Sequence, residues 1–179
     1  MRKTIYQAWK NVIEQEMNRS FPAFKEIKRT AGEPLKGLKH EWASRGALKF
    51  YLFFRVVYVG GEGFDVTVGW TTRKKIKMVT GDASSNIWDF EQESMDAPLI
   101  FVIGAGGVDG WSFWEPEEGL LDDPINFGRQ FAEFYTKQLT QDEAKEIVTS
   151  CILDAMDKIE KHVIPYFEKV AANKNERNI

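Results

Sequence analysis

Residues 47–72 read ALKFYLFFRVVYVGGEGFDVTVGWTT, and this stretch carries the strongest structural signal in the chain. Apolar and aromatic residues occupy alternate positions on both sides of the glycine-rich turn 60–63. Such alternation around a glycine turn predicts two β-strands joined as a hairpin. One face is wholly apolar, with Leu48, Phe50, Leu52, Phe54, Val56 and Tyr58 in the first strand and Phe64, Val66, Val68 and Trp70 in the second. The other face is mixed and could meet water or a partner.

Helical patterns lie on both sides of this hairpin. Residues 3–17 and 127–139 each place apolar side chains at helical spacing. A further helix begins at Thr140, which forms a T-x-x-E capping box with Glu143. Its apolar stripe continues to the region of Pro165, where a helix must end or kink because proline cannot donate to the preceding turn.

These elements predict an α+β fold. We expect residues 1–179 to form a single domain, with a polar tail at 173–179 that frays. Its antiparallel sheet is centred on the 47–72 hairpin and covered on one face by an N-terminal helix and two C-terminal helices.

Composition restricts the class of protein. Hydrophobic residues make up 43% of the chain and charged residues 28%, values typical of soluble globular proteins. No apolar run approaches the roughly 18 residues that cross a bilayer. The basic N-terminus is interrupted by Lys10 and Glu14, unlike a signal peptide. The single cysteine, Cys151, excludes an internal disulfide framework. We therefore expect a cytoplasmic protein without a membrane partner.

Charge is strongly segregated along the chain. Residues 1–77 contain 16 Lys/Arg and 7 Asp/Glu, a net charge of +9. Residues 78–128 contain 11 Asp/Glu and no Lys or Arg, a net charge of −11. Charge asymmetry of this kind bears on the choice of partner.

Motifs for cofactor or metal chemistry are weak. Residues 104–107 read GAGG after an apolar strand, but Asp109 and Pro116 follow where a dinucleotide site needs a third glycine and a helix. Two separated histidines, His40 and His162, and a cysteine within an apolar stripe do not suit a zinc site. We expect no cofactor and no metal.

The acidic window also carries large aromatic residues, and this combination points to recognition. Trp88 alternates with Asp89 and Glu91, and Trp111 and Trp114 stand close before further carboxylates. Aromatic rings can anchor an interface while carboxylates steer a cationic partner to it. The predicted contact residues are Trp88, Asp89, Glu91, Trp111, Trp114, Glu117 and Glu118. Alternatively, the tryptophans plug the end of the core and the acids keep the loop soluble.

The sequence therefore favours a non-enzymatic binding or inhibitory protein that contacts a basic protein partner. The helix–sheet–helix layout is similar to that of small bacterial immunity and adaptor domains, in architecture only. The first alternative is a carboxylate-based hydrolase, with or without a divalent ion. The second is a structural or phage-type protein without a ligand.

Nucleic-acid binding is a weaker alternative. Lysines and arginines at 25–39 and 73–77 could hold phosphates, and Tyr51 and Phe53 on the mixed hairpin face could stack bases. A sequence pI near 5.5 argues against strong binding of this kind. The identity of the partner and the oligomeric state are left open.

Overall fold

The computed structural model of the chain describes residues 1–28, 37–43, 48–57, 62–71, 101–103, 110–114 and 119–176. The helices are α1 (Lys3–Ser20), α2 (Pro124–Thr136), α3 (Gln141–Lys158) and α4 (Ile164–Glu176). The strands are β1 (Lys25–Glu26), β2 (Gly37–Ala43), β3 (Lys49–Val57), β4 (Gly63–Thr71), β5 (Phe101–Ile103) and β6 (Trp111–Ser112). Among the described helices, none combines the length and apolarity needed to cross a membrane.

The predicted hairpin is confirmed as β3 and β4. Its antiparallel register pairs Phe50 with Trp70 on the apolar face and Arg55 with Asp65 on the mixed face. The sheet runs in the order β1-β2-β3-β4-β5, and β6 also pairs with β4. Every pairing in it is antiparallel. The α+β class predicted from the sequence is therefore confirmed.

The apolar face of the hairpin lies in one core with α1, α3 and α4. Trp9 of α1 is fully buried and meets Phe64 of β4 with ring centroids 6.0 Å apart. Phe167 of α4 stacks on Phe50 of β3 at 4.4 Å. Burial of each such ring stabilises the fold by roughly 1.5–3 kcal/mol. The long stripe of α3 adds Val148 and Ile152, both fully buried.

The mixed face of the hairpin differs from its predicted exposure. Tyr51 and Phe53 are only 6% and 3% exposed, so the expectation that they stack bases at the surface is wrong. Asp65 on the same face is 1% exposed. Its carboxylate accepts two hydrogen bonds from the Arg55 guanidinium, with Nε 2.6 Å from Oδ1. This fork pairs the buried charge and lowers the cost of its desolvation.

Pro165 does not end the C-terminal helix. A π turn at residues Ile159–Val163 joins α3 to α4, and the Ile164 amide donates to the Ile159 carbonyl five residues back. We attribute the turn to Pro165, which has no amide of its own and would crowd the carbonyl four residues earlier in a regular helix. The helical path therefore continues to Glu176 and brings Phe167 over the sheet.

Candidate binding surface

Two of the seven predicted contact residues belong to the described part of the chain. Trp111 lies in β6, and Trp114 follows Trp111 three residues later. The other five, Trp88, Asp89, Glu91, Glu117 and Glu118, lie outside the described residues.

Trp111 is a packing residue in this structure. Its ring stacks on Phe64 at a centroid distance of 5.0 Å, and the residue is 4% exposed. The indole Nε1 donates to Oδ2 of Asp154 on α3 at 2.7 Å. Gly63 permits the close approach of β6, because a Cβ there would lie 2.3 Å from the Trp111 carbonyl oxygen. These contacts fit the interpretation that this tryptophan plugs the core, and they leave it little area for a partner.

Trp114 has a different environment, because it is half-buried against α2. Its ring meets those of Phe127 and Phe131 edge-on, with both centroid distances 5.4 Å, and lies nearly parallel to Phe134 at 6.2 Å. None of the residues of α2 is buried. The aromatic cluster therefore lies at the surface of the molecule.

The local sequence explains how this cluster forms. Asp123 is the N-cap of α2 and accepts from the Asn126 amide at 3.1 Å, while Pro124 occupies the first helical turn, where its missing amide costs nothing. Phe127 and Phe131 then follow Asp123 at intervals of four residues. Side chains at this spacing lie on one face of a helix, so the two rings share a face, and the capping carboxylate lies at the start of the helix.

Carboxylates stand at the beginning of this face. Asp122 and Asp123 are both exposed. Hydrogen bonds from the Asn126 amide and side chain lower the pKa of Asp123, so this group is ionised at neutral pH. Ile125, next to them, is 86% exposed. We call the set Trp114, Asp122, Asp123, Ile125, Phe127 and Phe131 the aromatic-acidic surface.

At the C-terminal end of α2, Arg2 and Glu62 form a latch that fixes this helix to the hairpin. The Arg2 guanidinium donates through Nη1 to the carbonyl oxygens of Phe134 and Lys137, at 2.7 and 2.8 Å, and through Nε to Glu62 Oε2 at 2.8 Å. The same guanidinium lies 4.7 Å from the centre of the Phe134 ring. The Tyr135 hydroxyl accepts from the Glu62 amide at 2.6 Å. The orientation of the aromatic-acidic surface is therefore set by the start of α1 and the end of the hairpin.

Five members of this surface were not among the predicted contact residues: Asp122, Asp123, Ile125, Phe127 and Phe131. The signal was present, since an Asp-Pro cap precedes aromatic residues spaced four apart. A stripe of this kind is normally the buried face of a helix, so its exposure could not be anticipated from spacing alone.

Other candidate groups occupy structural positions. His40 is 3% exposed, its Nδ1 has no hydrogen-bond partner among the described residues, and burial lowers its pKa to about 4. His162 is exposed in the π turn. The Cys151 thiol is half-buried and donates to the Ser112 carbonyl at 3.5 Å. Within the described ranges, no three His, Cys, Asp or Glu side chains gather as metal ligands would.

No family model, curated protein or solved structure matches this chain.

Proposed function

We propose that the chain is a non-enzymatic binding protein, immunity- or adaptor-like in its action, whose aromatic-acidic surface contacts a cationic protein. One observation supports this above all: two exposed carboxylates, Asp122 and Asp123, directly precede α2, whose half-buried Phe127 packs on Trp114. The predicted contacts Trp88, Asp89, Glu91, Glu117 and Glu118 belong to the same cation-free window and extend the proposed contact set. Cytoplasmic action is part of the proposal, because the lone cysteine suits a reducing compartment.

In the proposed interaction, the carboxylates and the aromatic rings have different roles. Exposed carboxylates raise the rate of encounter with a basic protein and favour one orientation, but screened surface charges contribute little binding energy. Aromatic side chains that lose water on contact supply most of that energy. A surface with both components suits specific binding better than either component alone.

The test is affinity capture from the host lysate at low and at high salt, followed by measurement of the captured protein's dissociation constant. We expect one basic protein whose affinity falls as salt rises. The double variant Asp122→Lys/Asp123→Lys should abolish its capture.

The control is Glu146→Lys/Glu168→Lys, which reverses two exposed carboxylates on α3 and α4. It makes the same change in net charge away from the aromatic-acidic surface, and it should retain the partner. Equal loss of binding in both double variants would mean that net charge alone governs capture, and the proposed surface would be wrong. The hydrolase hypothesis stays separate and predicts thermal stabilisation by Mg²⁺ or Mn²⁺.

A further inference from the structure

The proposed function names a cationic partner but not the group that meets the rings. We propose that the aromatic-acidic surface receives an arginine side chain of the partner, with its guanidinium on the Trp114 ring and its charge balanced by Asp122 and Asp123. This inference rests on the proposed function and adds the chemistry of recognition to it.

The rings provide a platform of suitable form. The Trp114 ring lies 5.4 Å from each of the Phe127 and Phe131 rings by their centroids. Interplanar angles of 62° and 78° show that both phenylalanine rings are steeply inclined to it. Phe127 and Phe131 lie 6.0 Å apart and nearly parallel. All three residues are half-buried, so their rings are held in place while part of each surface is accessible. Cations bind over ring faces at about 6 Å or less from the centroid.

The same helix already binds a guanidinium in this way at its other end. Arg2 lies 4.7 Å from the centre of the Phe134 ring and 5.7 Å from that of Tyr135, and Glu62 balances its charge. At the start of α2 the rings of Phe127 and Phe131 replace Phe134 and Tyr135, and Asp122 and Asp123 replace Glu62. The two ends therefore offer the same components, an aromatic pair and a carboxylate.

The charges near the platform favour a cation from outside the chain. Arg129 is the only Lys or Arg of α2; its guanidinium donates to the side-chain oxygen of Asn126 at 2.8 Å, and its charge also acts on Asp123. Two carboxylates, Asp122 and Asp123, against this one guanidinium leave a net negative charge at the start of the helix. The capping bonds of Asp123 keep that carboxylate ionised. Ile125, 86% exposed, offers apolar surface to the methylene groups of a long cationic side chain.

Arginine fits this platform better than lysine. A guanidinium is planar, stacks on aromatic faces and forms forked hydrogen bonds with a carboxylate. The lysine ammonium is compact and strongly hydrated, so it gains less from a ring and loses more water. We therefore expect the surface to discriminate between two peptides of equal charge.

The experiment compares hexa-arginine, hexa-lysine and uncharged hexa-citrulline peptides by titration calorimetry against the full chain. We expect hexa-arginine to bind roughly two- to five-fold more tightly than hexa-lysine for one ring contact, and hexa-citrulline not to bind. Trp114→Leu should equalise the two cationic peptides without abolishing their salt-dependent binding. Asp122→Asn/Asp123→Asn should weaken both.

The matched control is Trp42→Leu, which removes another half-buried tryptophan, one whose ring packs on Phe50 at the opposite end of the hairpin. It should keep the preference for arginine, and circular dichroism of each variant verifies its fold. Equal affinity of the wild type for both cationic peptides, or an unchanged preference in Trp114→Leu, would overturn the arginine inference alone. Unchanged binding in Asp122→Asn/Asp123→Asn would overturn the proposed acidic surface as well.

Discussion

At the scale of single residues, His40 illustrates what a sequence cannot reveal. In the sequence His40 stands beside Glu41, a position that suits a surface histidine equally well. The register of β2 with β3 instead pairs it with Leu52, on the apolar face of the sheet. Its ring meets Phe54 edge-on at 5.8 Å, and burial lowers its pKa to about 4.

This burial makes the stability of the fold sensitive to acid. His40 is neutral in both states at pH 7, but below its ordinary pKa of 6.5 the unfolded chain binds a proton that the folded chain rejects until about pH 4. The contribution of His40 to stability is therefore fully present above pH 6.5 and is lost as the pH falls toward 4. Between pH 7 and pH 5 we expect this group to reduce the free energy of unfolding by about 2 kcal/mol.

Urea denaturation of the wild type and of His40→Leu at both pH values measures this effect. The difference in stability between the two proteins should shift in favour of the variant at pH 5. His162→Leu, which removes an exposed histidine, serves as the control and should show no such shift. A pH-independent difference for His40→Leu would show that His40 does not govern the acid response.

Trp111 gives a second expectation at this scale. Trp111→Phe keeps a ring against Phe64 but removes the donor to Asp154, so we expect a loss of about 1–2 kcal/mol in the free energy of unfolding. Trp114→Phe should reduce the free energy of unfolding by less. The half-buried Trp114 makes no such bond from its indole to α3 in the described residues. Chemical denaturation compares the two. An equal loss would contradict the separate roles assigned to these tryptophans.

At the scale of secondary-structure elements, patterns in the sequence correctly predicted the strands and helices that depend on local interactions. The alternating residues of 47–72 gave both strands of the hairpin, because one fully apolar face must be buried. The helical stripe at 3–17 gave α1, which extends to Ser20. Where the outcome depended on distant contacts, the sequence was insufficient. The aromatic stripe of α2 lies at the surface, although its spacing is equally typical of a buried helix face.

The capping box of α3 tests an element that the sequence predicted in detail. The Thr140 side chain accepts from the Glu143 amide at 3.2 Å, and the Glu143 carboxylate accepts from the Thr140 amide at 2.9 Å. Thr140→Ala should cost about 1 kcal/mol of stability, since it leaves a helical donor without its acceptor. Thr149→Ala, within the same helix, removes only a bond to the carbonyl four residues back. If thermal or urea unfolding gave equal losses for both, the cap would have no special role.

At the scale of the whole molecule, the segregation of charge indicated an acidic recognition segment, but tertiary packing decided which residues could serve it. Trp111 became part of the core because β6 pairs with β4 and faces α3. Trp114, three residues on, packs on α2 at the surface. A spacing of three residues in an irregular segment carries no periodicity, so the sequence could not separate a buried tryptophan from a half-exposed one.

The Arg2–Glu62 latch offers a test at this scale. The Glu62 side chain is 5% exposed, and it pairs with a guanidinium that also binds two carbonyls of the α2 end. Glu62→Gln removes the charge that balances this partly buried guanidinium, so we expect a loss of about 2 kcal/mol in stability. Compared with the wild type, Glu62→Gln should also accelerate amide hydrogen exchange more in α2 than in α3.

The matched control for the latch is Glu14→Gln, which breaks the half-exposed Lys10–Glu14 pair of α1. Exposed pairs of this kind contribute about 0.5 kcal/mol or less. Similar losses in Glu62→Gln and Glu14→Gln would show that the latch does not hold α2 in place.

The brevity of β1 has a consequence for how molecules of this protein meet one another. An open sheet margin invites a neighbouring chain to add a strand by main-chain hydrogen bonds, which is the first step toward fibrous aggregation. In the part of the chain that the structure describes, that margin is formed by β1, whose two residues, Lys25 and Glu26, are both exposed and both charged. Two residues offer too short a template for a stable added strand. At this side of the sheet, association must therefore proceed through side chains, and we expect concentrated solutions not to seed β-fibrils from it.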